Sequence, residues 1–367
     1  IRGKKYVIPI WPLAALIGII IAIPGILHFT ELFLKLSVAP VGSPIRYNLL
    51  MQEAEINVRN LVSSFSITAG FGVATLLYFY LRSFQRIKIR NEIKNIEQEF
   101  QLGLVTLGNF LSEGYPIEVS IQKSLEEYDK LGMQTRPVYN FFTRLLYNMK
   151  TLGMTFKRAL FDKEHGIVRF YPSVLIDEVM RMLADAAEKS AHMLGMIAKT
   201  IATYLEDLSK IEAKIRELLE QTRSGIRLQA SFIVPLVTGV VSSLGIFIIN
   251  MLKLLADKLS ELEKTIGLGF LAGSTSTVAD FLGALIGDFT RVIPMTVLQA
   301  VVGVYTVEVV VLLSYLLNGI ENGFDKTSRD YMIAQNLMKA LVVYGLVSLM
   351  TLWIFRGIRL AVMAAGG

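Results

Sequence analysis

Few side chains in this sequence have the types and spacings that do chemistry. Cysteine is absent, which excludes disulfides, thiolate metal sites and cysteine nucleophiles. The three histidines, His28, His165 and His192, stand far apart and lack metal-ligand spacing. The run GLGFLAG at 267–273 is not a phosphate loop, because no Lys-Ser or Lys-Thr follows it. Glu126 and Glu127 form an acidic pair on a helix that reads as solvated, so they are surface charge. No Ser-His-acid grouping emerges from position. We expect no catalytic residue, no cofactor and no metal, and hence no enzyme.

One ionisable residue stands out. Glu308 lies in the middle of VYTVEVVVLL, where a carboxylate costs roughly 2.5–3.5 kcal/mol to place in hydrocarbon. It must face protein or a cavity rather than lipid. Two uses stay open: a polar contact with a partner helix or second subunit, or an internal hydrogen bond to a Tyr, Ser or Thr of a neighbouring span.

The elements that would position Glu308 follow from hydropathy. The chain of 367 residues is 53% hydrophobic and only 19% charged, with mean hydropathy +0.51. A soluble domain needs more charge to cover its surface. Five stretches reach the roughly 20 apolar residues a bilayer core requires: about 7–27, 61–81, 228–252, 292–317 and 339–355. The first carries Pro9, Pro12 and Pro24, and no small-x-small site follows it, so it reads as a span rather than a cleaved signal. Between the second and third spans, residues 82–227 hold 22 of the 37 Lys and Arg and 19 of the 31 acids, which makes this segment a soluble domain. Three parts result: 1–81, two spans with an outer loop; 82–227, a cytoplasmic helical domain; and 228–367, three spans with an outer amphipathic segment.

Orientation follows from basic residues, which stay on the cytoplasmic side of span ends. Arg82, Arg86, Lys88, Arg90 and Lys94 follow the second span directly, and Arg2, Lys4 and Lys5 precede the first. The N-terminus and 82–227 are therefore expected inside. The C-terminus falls outside by count, against which Arg356 and Arg359 argue. The cluster at 82–94 also suits anionic lipid heads.

Within 82–227 every signal is helical. Ile93, Ile96, Phe100, Leu104, Leu107 and Leu111 recur at a spacing of 3–4. Gly114 stops that helix and Pro116 starts another; further helices are expected around 137–152 and 173–190. Ile197, Ile201, Tyr204, Leu208, Ile211, Ile215, Leu218 and Thr222 form a heptad-like seam. That seam suits packing within the domain or across a dimer. The long helix bearing it runs on toward the third span, with Gly225 as its weak point. Residues 252–264 read as an amphipathic helix lying on the membrane or packing on the spans, and GLGFLAGSTSTVADFLGALIGDF at 267–289 as a re-entrant or interfacial piece. Small residues stripe the second span at Ser66, Gly70 and Ala74. They cluster in the third at Thr238, Gly239, Ser242, Ser243 and Gly245, as close helix packing in lipid requires.

The stretch FQLGLVTLGNFLSEGYPIEVSIQKSLEEY at 100–128 resembles the type II secretion F domain. The likeness rests on an apolar helix bearing Leu104, Leu107 and Leu111, then Gly114 and Pro116, then a second amphipathic helix with Ile117 and Ile121. The loop LLNGIENGFDKTSRDYMIAQNLMKALVVYG at 316–345 resembles that before the last span of archaeal platform proteins of archaellum and type IV pilus machines, through Gly319, Glu321, Gly323 and Asp325. The family often carries two F domains and this chain one. Because it starts at Ile1 rather than Met, we expect a fragment, with room for the other domain upstream.

The resemblance implies a multi-pass platform in the cell membrane, a homodimer that contacts a hexameric secretion ATPase and pilin-like subunits and is not itself an ATPase. Basic residues near helix ends are the expected ATPase contacts: Arg86, Lys88, Arg90, Lys123, Lys150, Lys157 and Arg158. Membrane lipid is a further partner, and nucleic acid is not expected. The competing class is a transporter or channel, which predicts broken spans with polar residues lining a midplane site. A membrane sensor would need a larger outer domain than 28–60 or 253–291 offers.

Overall fold

In a computed structural model the described residues are 10–40, Leu49, 58–266 and 295–365. They are almost wholly helical, with no strand among them. The helices are α1 (Ile10–Val38), α2 (Val58–Ser112), α3 (Ile117–Lys130), α4 (Pro137–Lys150), α5 (Phe156–Phe161), α6 (Val174–Ala187), α7 (Ala191–Leu228), α8 (Val234–Ile266), α9 (Met295–Asn322) and α10 (Lys326–Ala365). Five helical runs are long and apolar enough to cross a membrane: α1, α2, the α7–α8 run, α9 and α10. The protein is an all-α, polytopic membrane protein. Two compact units result, one of Ile1–Phe84 with Gln221–Gly367, the other of Gln85–Glu220.

In the first unit small residues set the helix spacing. A Cβ on Gly18 would collide with Ala74 Cβ, one on Gly25 with Ser63 O, and one on Gly70 would lie 2.5 Å from Gly18 O. The Ser66-Gly70-Ala74 stripe is thus spent on α1, whose own Gly18, Ala22 and Gly25 face it. Close backbone approach replaces the hydrophobic driving force that lipid removes. The second cluster packs α8 against α9 and α10: Thr306 Oγ1 donates to Thr238 Oγ1 at 2.9 Å, and Ser243 Oγ to Ser348 O at 3.2 Å.

The α7–α8 junction is not where the glycine stands. Gly225 lies inside unbroken α7, and the irregularity is a π-turn at Gln229–Ile233. Pro235 explains it. Proline has no N–H for the carbonyl four residues back and crowds it, and the wider i→i+5 turn just before it relieves both problems. The segment 252–264 is not a separate surface helix: α8 runs through it to Ile266. LKLLADKLSELEK contains no Gly or Pro to end a helix and is rich in strong helix formers. The expected re-entrant piece lies outside the described residues from 267 onward, as does most of the expected first outer loop beyond Pro40.

The second unit is a helical bundle around one core. Phe100, Leu104, Leu107 and Leu111 of α2 are buried, with Ile121, Tyr128, Phe141, Phe142, Leu145, Ile176, Met180 and Leu183. Phe141 stacks edge-on against Phe100, Phe142 and Tyr171. After α2, Tyr115 N donates to Phe110 O and Gly114 adopts φ +90°, a Schellman stop that needs glycine. Ser173 caps α6 by accepting from Ile176 N and ties it to α2 by donating to Glu97 Oε1 at 2.5 Å.

Within the second unit, the heptad-like seam of α7 packs only at its start. The buried residues of its first half are Leu194, Gly195, Ala198, Ala202 and Leu205, a neighbouring stripe in which three of the five are small, with Ile197 and Ile201 at its margin. A Cβ on Gly195 would lie 2.7 Å from Ser112 N, so α2 and α7 cross nearly backbone to backbone. Small residues win that face because bulk would separate the helices. Beyond Leu205, the seam residues Leu208, Ile211, Ile215 and Leu218 are exposed, as is Tyr204 just before it.

Candidate functional site

The α9–α10 turn gathers charge where two long helices leave the first unit. α9 ends at Asn322, and Gly323 takes φ +61° to reverse the chain. Asn318 Nδ2 donates to Gly323 O and Asp325 O, both at 3.2 Å. Asp325 Oδ1 accepts from Thr327 N at 2.9 Å and so caps α10. Glu321 points at α7, where Arg223 Nη2 approaches its Oε1 at 3.0 Å and Arg227 pairs with the same oxygen. On the other side of the turn, buried Asp330 meets Arg82 of α2 at 3.3 Å and Arg329 at 2.8 Å. One helical hairpin therefore holds both α2 and α7 by ion pairs. These are the helices that continue past Phe84 and Gln221 into the second unit. We call this arrangement the ionic latch.

Each loop residue singled out from the sequence has a place in it except one. Glu321 supplies the acceptor, Gly323 the turn and Asp325 the cap, whereas Gly319 sits on an open face, where an added Cβ would meet nothing within 4 Å. Sequence reasoning missed Arg82, Arg223, Arg227 and Asp330 as partners. The signal available was two acids close to the α9–α10 turn and an arginine pair four apart at the end of α7.

Glu308 lies on the exposed side of α9 and makes no hydrogen bond or ion pair among the described residues. The internal hydrogen bond left open above is not formed among the described residues. The carboxylate stands at one end of a groove of about 610 Å³ between α1 and α9, walled by Ile26, Phe29, Ile67, Val301 and Val304.

The basic residues expected at helix ends differ in their surroundings. Arg86 and Lys88 are exposed on α2, and Arg90 is half-buried. Lys123 is held over the Tyr115 ring at 3.6 Å, a cation–π contact. Lys150, the last residue of α4, donates to Gln122 in the first half of α3 at 2.5 Å. Lys157 pairs with Asp185 at 3.0 Å and Glu188 at 3.2 Å; hydrogen bonds to these two acids push its pKa up. Arg158 beside it is exposed. Nearby, Asp162 accepts from the backbone N–H of Glu164 and His165, and those bonds hold its carboxyl below the usual range.

The membrane unit also buries polar side chains that sequence reasoning passed over. Thr68 Oγ1, Thr296 Oγ1, Gln299 Nε2, Ser242 Oγ, Tyr344 OH and Ser348 Oγ have no well-aligned hydrogen bond among the described residues. The gap beside Thr68, Thr306 and Tyr344 is too narrow for a water molecule. No protein-family model, curated protein or solved structure matches the chain.

Proposed function

We propose that this protein is the membrane platform of a filament-assembly or secretion machine of the type IV pilus, archaellum and type II secretion kind. In this role it sits in the cell membrane with 82–227 on the cytoplasmic side. A hexameric ATPase engages that domain, and its motion reaches pilin-like subunits through the spans. The observation that carries the proposal is the ionic latch. A transmission part needs its soluble domain joined to the membrane by stiff members whose bases cannot slip. Here α2 and α7 are continuous helices, and each is tied at its base to the same hairpin. The turn that ties them is the one whose Gly319, Glu321, Gly323 and Asp325 resemble the platform family.

The test is co-purification. Full-length protein in detergent is mixed with the secretion-type ATPase encoded in the same genome, with and without Lys157→Glu/Arg158→Glu and Arg86→Glu/Lys88→Glu. Binding that weakens with salt and in at least one reversed variant supports the proposal. No binding at low salt refutes the ATPase coupling. A second reading, a transporter, is favoured by the buried, poorly bonded hydroxyls of the membrane unit. Solute or ion flux in proteoliposomes containing this chain alone would favour that reading.

A further inference from the structure

Two charges are stranded in the membrane-spanning part of the chain, and they have opposite sign. Glu308 on α9 and Lys339 on α10 are both exposed, and neither has an ion pair or hydrogen bond among the described residues. Their depths agree. Glu308 lies 14 residues before the end of α9 at Asn322, and Lys339 lies 13 residues after the start of α10 at Lys326. The two helices are joined by a three-residue turn, so at about 1.5 Å per residue both charges stand some 20 Å from it. A charge at such depth is costly unless it meets a partner or reaches the interface.

The surfaces that bear these charges are complementary. From Glu308 the α1–α9 groove runs away from the turn along Tyr305, Val301 and Val297. From Lys339 an exposed apolar face also runs away from the turn, through Val342, Leu346, Leu349, Met350 and Trp353. Copies of one chain in one membrane share the same orientation, so the two charges arrive at the same depth without adjustment. With Lys339 opposite Glu308, Leu346 falls level with Val301 and Met350 level with Val297. The register closes because each pair is 7 and then 11 residues from its charge.

We infer that the α1–α9 groove receives the exposed face of α10 from a second copy of this chain, with Lys339 of one copy paired to Glu308 of the other. A lipid tail could fill the groove but brings no cation. A closed assembly in which every groove is occupied leaves neither charge unpaired. The inference does not depend on the platform reading, since it concerns only the membrane unit and its own copies.

The chain has no cysteine, so cross-linking can be specific. Two differently tagged full-length copies are co-expressed, one with Val301→Cys and one with Leu346→Cys, and membranes are oxidised. The expected result is a disulfide-linked species containing both tags and absent when either copy is expressed alone. It should fall at least about fivefold with Glu308→Gln or Lys339→Gln, as the loss of a partly desolvated ion pair implies. It should vanish with Glu308→Lys and return when Glu308→Lys is combined with Lys339→Glu in both copies. The neutral variants guard against a reversed charge that simply fails to insert, and membrane levels are measured in each case. No mixed species in the unaltered pair overturns the inference. A mixed species indifferent to the neutral variants overturns the charge pairing, and Val301→Cys linked instead to another protein overturns the assignment of the groove to a second copy.

Discussion

Glu321→Gln removes the carboxylate that two arginines of α7 share while keeping its shape. Glu321 retains 10% of its side-chain exposure and Arg223 19%, whereas Arg227 retains 51%. The Arg223 pair is therefore largely withdrawn from water, and Arg223 also donates Nε to Glu321 at 3.2 Å. Breaking a fully buried pair by removing one partner costs about 3–5 kcal/mol, because the remaining charge stays buried. Residual water around Arg223 reduces this, so we expect about 2–3 kcal/mol for Glu321→Gln. Arg227→Gln should lose only about 0.5 kcal/mol, as half-exposed pairs do. The assay is a double-mutant cycle of Arg223→Gln and Glu321→Gln on the full chain, unfolded by denaturing detergent in mixed micelles. A coupling of about 1.5 kcal/mol or more is expected. Losses that add to within about 0.5 kcal/mol would refute the latch as an energetic contact.

Three further outcomes follow from other parts of the structure. Leu107→Ala, at a site 1% exposed in the core of the second unit, should destabilise that unit by about 2–5 kcal/mol, read by amide exchange of α2–α6 in the full chain. Gly70→Leu should lower the midpoint of detergent unfolding by forcing α1 and α2 apart, whereas Gly319→Ala, with open space around it, should be neutral or slightly stabilising; equal effects would contradict the packing assigned to Gly70. Asp162 has its pKa lowered in the fold, so its contribution is present above the unfolded carboxyl value near about 4 and lost as pH falls through the lowered one. Amides of Glu164 and His165 should therefore lose exchange protection on acidification below about pH 4, and an unchanged pH profile in Asp162→Ala would refute the assignment.

The spans and the bundle core were legible because each rests on a local pattern. Leu104, Leu107 and Leu111 are buried where their spacing placed them, and Gly114 ends its helix by the backbone conformation that glycine permits. Within the second unit the α7 seam packs only at Ile197 and Ile201, because heptad spacing records which residues could pack, not which face another helix takes. The tight crossing at Gly108 and Gly195 gave that face to alanines. The π-turn before Pro235 was readable in principle, since proline disturbs the helix ahead of it. The latch was not, because Arg82, Arg223 and Asp330 are brought together only by tertiary structure. Glu308 was legible as an anomaly, while Lys339 was hidden at the edge of a span whose helix begins earlier than hydropathy placed it.

Whether this chain is the platform on which a filament or secretion pseudopilus is built is tested most directly by deleting its gene in the native host. Filaments per cell, or the secreted product, are counted alongside the membrane levels of the pilin-like subunits and the ATPase. A platform role predicts that assembly is abolished while subunits and ATPase remain at normal levels. Restoring the wild-type gene should return assembly, whereas Glu321→Gln at equal membrane level should restore it only in part. Normal assembly without the gene would contradict the platform role.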